Sequence, residues 1–411
     1  ELIDNGQRGA CELYAHYFRD IRRVVVDEKR WYRRVSSGFW EKDNNGVEIN
    51  DVSGVLSKIL KDRSVSIRRS HGKSKAKEIA DLSKKLQERS GAQNTLFFAQ
   101  YPMGFNAANW DSYTDGFLAC ENGIITKDGK LRSPEVDDNA LNKSPVEFKG
   151  IKTPAPLWEK TLDSIFDGDK EVIAFVQRLF GYIVSGEVTE RVMPIFYGPI
   201  GNNGKSLIAN IIGDVLGEKL FFGTSASKLM AANFVSDRNS PDHFVFGLRG
   251  KRLVFASEGN KDVSLDSGFV KNMTGNDMLS ARASHARDSI SWRPTHTVIM
   301  ATNDLPSIDG EDAAMWKRLL PVEFKVTFVE HPTKPNERKM DMKLQDKILA
   351  SERSGIVAWL LTGYLDWKKN GLQVPQSVED SKRNYHSSED VIGQFIKTMD
   401  TSDPNATISA A

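Results

Sequence analysis

A glycine-rich loop between two apolar segments constrains the fold of this chain more than any other feature. The apolar run Pro194-Ile-Phe-Tyr197 leads into Gly198-Pro-Ile-Gly-Asn-Asn-Gly-Lys-Ser206, and Leu207-Ile-Ala-Asn-Ile-Ile212 follows with the pattern of a helix. A strand, a glycine-rich loop and a helix in this order turn backbone N–H groups and a helix N-terminus toward phosphate oxygens. We therefore expect Lys205 to reach the β- and γ-phosphates of a nucleotide and Ser206 to bind Mg²⁺.

The loop is one residue longer than the spacing G-x-x-x-x-G-K-[ST], because that spacing would put a glycine where Pro199 stands. Gly198 precedes that position by one. The alternative is a glycine-rich turn that happens to precede Lys-Ser. The flanking strand and helix favour a phosphate loop. Its expected nucleotide-binding residues are Gly198, Gly201, Asn202, Asn203, Gly204, Lys205 and Ser206.

Composition excludes several classes of protein. The 411 residues are 39% hydrophobic and 27% charged, which is typical of a globular protein and excludes collagen, wholesale disorder and a coiled-coil rod. With 56 Lys and Arg against 55 Asp and Glu, the formal net charge is +1. Overall charge therefore does not indicate nucleic-acid binding, and any such role must depend on where the basic residues lie.

The cysteine content and the apolar runs bear on localisation. Cys11 and Cys120 are too few for a zinc cage or a disulfide framework, so we expect a cytoplasmic protein. The apolar stretch at 356–361 is far below the roughly 20 residues that cross a bilayer, and no membrane association is expected. Because Glu1 is not an initiator methionine, we expect the chain to be a fragment of a longer protein.

The pattern of apolar residues predicts three parts. Residues 1–160 form a mainly helical N-terminal domain with short strands at 31–35, 38–40, 115–125 and 127–131, and residues 161–330 form an α/β core in which strands alternate with helices. Residues 331–411 form a helical C-terminal segment. The candidate strands of the core are 192–197, 252–257, 297–302 and 319–326, and the candidate helices are 170–184, 341–367 and 389–399.

Glu258 directly follows the apolar strand predicted at 252–257. A carboxylate at the carboxyl end of a strand stands where Mg²⁺ and an attacking water need a base. The alternative, if the phosphate loop is not considered, is that Glu258 is a solvated loop residue. Together with the phosphate loop, its position indicates that Glu258 is the catalytic carboxylate and a ligand of Mg²⁺.

Two further residues are candidates for the reaction. Asn303 ends the strand predicted at 297–302, and its neutral amide can hold the γ-phosphate or the attacking water without adding repulsive charge. An asparagine in a turn before proline is otherwise ordinary turn chemistry. Arg318 precedes the strand predicted at 319–326 and is a candidate arginine finger, the alternative being a surface salt bridge.

Two basic tracts are candidates for binding a polyanion. The first is a predicted basic hairpin whose candidate phosphate-binding residues are Lys271, Arg282, His285 and Arg287. The second extends over residues 61–77, where a solvated helix face is the more ordinary interpretation and an accessory DNA surface is the alternative.

In their order along the chain, these motifs resemble those of superfamily-three helicases, and most closely those of the primase-helicase family of phages, plasmids and large DNA viruses. The motor motifs are Gly-Asn-Asn-Gly-Lys-Ser206, Ala-Ser-Glu258, Thr-Gly-Asn-Asp277 with Ala-Arg282, Ala-Thr-Asn303 and Trp-Lys-Arg318. Residues 115–125, 129–132 and 180–186 resemble the family's pre-helicase domain, and residues 354–359 and 371–375 are similar to its tail.

This resemblance implies an AAA+-type P-loop NTPase core that uses ATP and Mg²⁺ and assembles into a hexameric ring. It also implies movement on single-stranded or forked DNA, usually 3′ to 5′, and often fusion to a primase, although no primase motif is evident in this chain. In such a ring Arg318 would serve the neighbouring subunit. We therefore predict an ATP-hydrolysing replicative DNA helicase, the helicase part of a primase-helicase.

Two other functions remain open at this stage. One is a ring NTPase that acts on protein or packages or remodels DNA. The other is a DNA-binding scaffold with a nucleotide site that does not hydrolyse, against which the joint presence of Glu258, Asn303 and Arg318 weighs.

Overall fold

A computed structural model describes residues 6–26, 28–231, 243–257, 264–282, 289–308 and 311–389. The chain divides into two compact units. The first unit comprises residues 1–114 and 133–141, and the second comprises residues 115–132 and 142–411. This division does not follow the expected boundary near residue 160, and the three-part division into 1–160, 161–330 and 331–411 stays a prediction.

The first unit combines helices with a small sheet. Its helices are α1 (Gly6–Phe18), α2 (Val47–Asn50), α3 (Ser57–Gln87) and α4 (Arg89–Ala99), and its strands are β1 (Arg22–Val25), β2 (Arg30–Arg34), β3 (Trp40–Lys42) and β4 (Gly104–Phe105). The sheet order is β3-β2-β1-β4. The aromatic strand pair predicted at 31–35 and 38–40 is confirmed as the antiparallel pair β2–β3, in which Arg34 lies opposite Trp40.

The second unit begins with a three-stranded antiparallel sheet of β5 (Gly116–Cys120), β6 (Gly123–Thr126) and β7 (Leu131–Arg132), of which the sequence predicted two strands. Phe117 and Ile125 of this sheet are buried in the same core as Tyr364, and the rings of Phe117 and Tyr364 are 4.9 Å apart. These apolar contacts explain why residues 115–132 belong to the second unit.

A five-stranded parallel sheet forms the centre of the second unit, in the order β14-β8-β13-β10-β9. Its strands are β8 (Met193–Tyr197), β9 (Phe221–Ser225), β10 (Leu253–Ser257), β13 (Thr297–Thr302) and β14 (Leu319–Glu323). Four of the five correspond to the predicted strands and are buried along most of their length, as in a sheet covered on both faces. The fold is therefore α/β with a parallel sheet, as predicted.

The remaining elements connect these strands and cover them. The helices are α5 (Pro156–Ile165), α6 (Lys170–Ser185), α7 (Lys205–Leu216), α8 (His243–Gly247), α9 (Ser267–Thr274), α10 (Ala313–Arg318), α11 (Leu344–Ser351), α12 (Arg353–Asn370) and α13 (Gln376–Glu389). The remaining strands are β11 (Leu279–Ala281), β12 (Ile290–Trp292), β15 (Thr327–Val329) and β16 (Glu337–Lys339). Within the described residues no helix is both long and apolar enough to cross a membrane.

The helical segment predicted at 341–367 is confirmed as two helices, α11 and α12, with a break at Glu352. The buried carboxylate of Glu352 accepts hydrogen bonds from the N–H groups of Leu157 (2.9 Å) and Trp158 (2.8 Å), which begin α5. A carboxylate at a helix N-terminus is stabilised by the unpaired N–H groups there. Of the helix predicted at 389–399, all but the first residue lies outside the described residues, and α13 was not predicted.

Helices α6 and α12 meet at glycine residues. A Cβ atom at Gly363 would lie 2.0 Å from the backbone oxygen of Gln177, and a Cβ atom at Gly181 would lie 2.1 Å from the backbone nitrogen of Tyr364. Because backbone atoms cannot rotate away as a side chain can, neither position has room for a methyl group. The two backbones are therefore in direct contact where the helices cross.

We expect Gly363→Ala to lower the free energy of unfolding by about 2 kcal/mol, because the added methyl group forces the two helices apart. Gly268→Ala in α9 is the matched control, since its Cβ would meet only an oxygen of Asp266 at 3.4 Å. That control should be neutral or stabilise by up to about 1 kcal/mol through better helix propensity. Urea unfolding followed by tryptophan fluorescence measures both, and equal stability of Gly363→Ala and the unmodified chain would contradict the proposed crossing.

Candidate functional site

The register of the parallel sheet brings the predicted site residues to one edge. Tyr197, the last residue of β8, lies opposite Thr302, the last residue of β13. The glycine-rich loop and Asn303 therefore leave the sheet side by side. On the other side of β13, Ser257 at the end of β10 lies opposite Ala301. Sequence reasoning placed these residues at strand ends, and the structure brings the ends together.

The loop between β8 and α7 requires specific backbone conformations. Asn202 has φ 59° and Gly204 has φ 91°, both in the left-handed region, which asparagine and glycine adopt more readily than other residues. At Gly204 a Cβ atom would also lie 2.7 Å from the side chain of Ile165. Because α7 begins at Lys205, the N–H groups of its first turn have no partner within the helix and are available to an anion.

Asn203 is a buried anchor for the loop. Its side-chain amide donates to the backbone oxygens of Val326 (3.0 Å) and Phe324 (3.3 Å), which follow β14. Its side-chain oxygen accepts a hydrogen bond from the ammonium of Lys205 at 3.0 Å. The side chain of Asn203 thus fixes the loop to the neighbouring strand and orients Lys205, and binding of nucleotide by Asn203 stays a prediction.

Lys205 lies at the centre of the site with its side chain largely buried. Besides Asn203, its ammonium donates to the side-chain oxygen of Asn303 (3.3 Å) and to the backbone oxygen of Gly198 (3.4 Å). Burial lowers the pKa of Lys205, since a charged group loses solvation inside the protein. The three oxygens are neutral, so within the described residues the ammonium has no carboxylate partner in hydrogen-bond reach.

A cavity of about 420 Å³ opens beside Lys205 and is within the usual size of small-molecule sites. One side is polar and is formed by the loop, by Ser257 and by the residues that follow β13. The polar lining residues are Gly201, Asn202, Asn203, Gly204, Lys205, Ser206, Ser257, Thr302, Asn303 and Asp304. The other side is largely apolar and is formed by Phe328, Met340 and Leu344, with Asp341 beside them.

Sequence reasoning missed the apolar side of the cavity. Phe328 belongs to β15, and its N–H donates to the backbone oxygen of Asn202 at 2.9 Å, which ties β15 to the loop. Met340 follows β16, and its N–H donates to the backbone oxygen of Val329 at 2.8 Å. These residues lie far from the loop in sequence, and single apolar residues in a polar stretch carry no motif that would have identified them.

Of the two residues expected to bind Mg²⁺, the structure describes Ser206. Ser206 is exposed and lines the cavity, and its hydroxyl is the kind of hard oxygen ligand that Mg²⁺ prefers. Glu258 lies outside the described residues, but Ser257, which precedes it, lines the same cavity. Elsewhere in the described ranges no group of three or more His, Cys, Asp or Glu side chains could hold a metal ion.

Arg318 does not line this cavity. It ends the short helix α10, where its guanidinium donates to the hydroxyl of Thr274 (3.1 Å) and to the backbone oxygen of Ala314 (2.6 Å). A second contact joins α10 to α9, because the ammonium of Lys271 pairs with Asp312 at 2.8 Å. This ion pair lowers the pKa of Asp312. The guanidinium of Arg318 is therefore held by α9 and α10 and does not line the cavity.

The predicted basic hairpin is present in part. Strands β11 and β12 pair antiparallel, and Arg282 directly follows β11. Lys271 lies on helix α9 rather than in the hairpin. On α9 its ammonium forms an ion pair with Asp312. His285 and Arg287 lie outside the described residues. Binding of DNA by these four residues stays a prediction.

Comparison with families of known sequence gives two matches. Residues 11–167 match the family described as "D5 N terminal like", and residues 196–318 match a "Family of unknown function (DUF5906)". The second match begins within β8 and ends at Arg318, so it contains the loop, Asn303 and the parallel strands between them.

Individual relatives are viral. The chain is 26% identical over 238 residues to "Putative helicase L207/L206" of Acanthamoeba polyphaga mimivirus, covering 56% of this chain and 24% of that protein. It is 26% identical over 231 residues to "Putative primase C962R" of African swine fever virus, covering 53% of this chain and 23% of that protein. The chain thus spans about a quarter of the length of these two relatives.

A solved structure shares the fold. The apo structure of the NrS-1 C-terminal region superposes with a TM-score of 0.52 at 14% sequence identity, covering 92% of this chain and 74% of that one. At this identity the likeness concerns the fold alone. It extends over nearly the whole chain, including both compact units.

We expect Asn203→Ala to lower the free energy of unfolding by about 2 kcal/mol, because it leaves two buried backbone oxygens without their donor. Asn202→Gly is the matched control, since glycine keeps the left-handed conformation and the Asn202 backbone oxygen that binds Phe328. Thermal unfolding of the full chain compares the two variants. If Asn203→Ala unfolds at the temperature of the control, the side chain does not anchor the loop.

Proposed function

We propose that this chain, a member of the primase-helicase family of phages, plasmids and large DNA viruses, is an ATP-dependent DNA helicase motor with an AAA+-type P-loop core. It works as a hexameric ring on single-stranded or forked DNA, as the helicase part of a primase-helicase. The observation that carries the proposal is the ammonium of Lys205, which lies at the N-terminus of α7 beside a cavity at the carboxyl edge of a parallel sheet.

The order of the strands supports a P-loop core of the AAA+ type. Strand β13, which ends at the candidate sensor Asn303, is inserted between β8, which leads into the loop, and β10, which precedes Glu258. This order places an amide, rather than a second carboxylate, next to the loop. A neutral group there contacts the γ-phosphate without adding repulsion to an already negative substrate.

The cavity suits a nucleoside triphosphate. Its polar side offers the positive end of α7 and the ammonium of Lys205 to phosphates, and its apolar side offers Phe328, Met340 and Leu344 to a base. Ser206 and Glu258 would hold Mg²⁺, which supplies positive charge to the phosphates when it is bound. The glycine and asparagine backbone of the loop leaves the phosphates room to approach.

The roles of the chain's own groups in hydrolysis follow from their positions. When a nucleotide binds, the ammonium of Lys205 exchanges its three neutral oxygen partners for the β- and γ-phosphates, whose negative charge balances its own. Asn303 orients the γ-phosphate or the attacking water. Glu258 accepts the proton that the water loses as its oxygen bonds to the γ-phosphorus and the bond to the β-phosphate oxygen breaks. Arg318 of the adjacent subunit neutralises charge on the transferred group.

A ring NTPase that packages or remodels DNA, or acts on protein, is the second candidate, and a non-hydrolysing scaffold is the third. The names of the viral relatives, one a helicase and one a primase, favour a role in replication. Unwinding of a forked duplex distinguishes the candidates, because only the helicase separates strands as it consumes ATP.

We expect Lys205→Ala to lower ATP turnover at least about a hundredfold, because a preorganised donor to the phosphates is lost. Lys228→Ala is the control, since Lys228 is exposed in the same unit and does not line the cavity. Release of phosphate is measured with and without single-stranded DNA. Turnover at the unmodified rate in Lys205→Ala would exclude this loop as the active site.

We expect Arg318→Ala to bind ATP but to hydrolyse it about a thousandfold more slowly or worse, as for other arginine fingers. The two inactive variants Lys205→Ala and Arg318→Ala are then mixed. A finger that acts on the neighbouring subunit restores part of the activity, because some interfaces join an intact loop to an intact arginine. Recovery should rise with the number of such interfaces.

The outcome that overturns this assignment is no recovery in rings whose mixed composition is confirmed by mass measurement. Arg318 would then act within its own subunit or would serve only to join α10 to α9 through Thr274.

A further inference from the structure

Helix α3 of the first unit is folded back on itself. At Gly72 the backbone leaves the helical region, with φ 84° and ψ 168°. The hydroxyl of Ser83 donates to the backbone oxygen of Ser57 at 2.7 Å. In a straight helix two residues with this separation would be about 39 Å apart. The two arms of α3 therefore run antiparallel, and Gly72 lies at the end where they turn.

One end of this helical hairpin is packed and the other is not. At the packed end Leu60, Ile79 and Leu86 are buried in the core of the first unit. Asp51, in the turn that leads into α3, pairs with the buried side chain of Arg22. At the other end every residue from 68 to 74 is exposed. The hairpin thus projects from a fixed base into solvent.

The projecting end is strongly basic. We define the basic tip as residues 61–77, which hold seven Lys and Arg residues and one acidic residue, Asp62. The ammonium of Lys75 forms an ion pair with Glu78, which directly follows the tip, at 3.3 Å. Within the described part of the chain Arg68, Arg69 and Lys73 have no acidic partner. Since the whole chain has a formal charge of only +1, this local excess of positive charge is not a general property of the surface.

Like charges held together repel one another, so a surface of this kind is most stable against a polyanion. The arms of α3 contain no Phe, Tyr or Trp, and stacking on aromatic rings is the usual means of holding a single strand. Two packed helices are also about 18–20 Å wide, which exceeds the roughly 12 Å of the major groove. The tip therefore fits the phosphates along a duplex and not its base edges.

We propose that the basic tip binds the phosphate backbone of duplex DNA without reading its sequence, and so holds the double-stranded arm of a fork. The choice of DNA rests on the proposed function, but no residue of the tip lines the nucleotide cavity, and the tip has its own test. The exposed Ser74 in the tip offers a hydroxyl donor to the same phosphates.

The test reverses charge at the tip and at the base of the same hairpin. Arg68→Glu with Arg69→Glu is compared with Lys84→Glu with Lys85→Glu, an equal change of charge at exposed residues of the packed end. Binding of the full chain to a 20-base-pair duplex, to a single strand and to phosphatidylserine vesicles is measured by fluorescence anisotropy or sedimentation over a series of salt concentrations.

We expect the tip variant to lose at least about tenfold in duplex affinity at low salt and its log–log salt slope to fall by about 2, as two phosphate contacts are removed. The control should change less than twofold. ATP turnover without DNA should be unchanged in both variants, because neither pair lines the nucleotide cavity.

Three results would overturn the proposal. Equal duplex affinity and slope in the tip variant would show that the tip does not bind DNA. Loss confined to the single strand would assign the tip to unpaired DNA, and loss confined to vesicles would assign it to anionic lipid. Failure of the proposed function has a different signature, since a chain that never hydrolyses ATP can still bind duplex through the tip.

Discussion

A buried ammonium is the constraint around which the second unit is organised. Lys205 is removed from water, and an unpaired charge there would destabilise the fold unless oxygens replaced its solvation. Those oxygens come from Gly198, Asn203 and Asn303, which belong to two different strand ends. Their convergence requires β8 and β13 to be adjacent, parallel and in the observed register. The sheet thus determines the position of a single positive charge that remains available to an incoming anion.

Most of the parallel sheet was predictable because a strand buried on both faces is a short apolar run with a turn at its end. Strand β9 escaped prediction because it lies at the edge of the sheet, where the residues of Phe221–Ser225 are half-buried or exposed and form no apolar run. The break at Glu352 was not predicted, because the partners of its carboxylate are N–H groups of α5 that lie almost 200 residues away in sequence. Long-range hydrogen bonds of this kind leave no local pattern.

The candidate site also contains residues that the sequence predicted and residues that it did not. Lys205 was predictable because it ends a glycine-rich loop before a helix, and Asn303 because it directly follows a strand. The structure brings the two side chains within hydrogen-bond distance. The family resemblance was also confirmed by the matches to viral proteins. The anchoring role of the Asn203 side chain was not predicted, because the backbone oxygens that it binds are 121 and 123 residues away in sequence. Phe328 and Met340 were missed, because their place beside the loop depends on the paths of β15 and β16 and not on any motif.

Strand β14 connects the candidate arginine finger to the glycine-rich loop. Arg318 directly precedes this strand, and Asn203 holds the backbone oxygen of Phe324, which directly follows it. All five residues between them pair in parallel register with β8, which itself leads into the loop. Such a strand is about 16 Å long. Its backbone is therefore a continuous connection between the loop that Asn203 anchors and the guanidinium of Arg318, and a shift of the loop would displace both ends of the strand together.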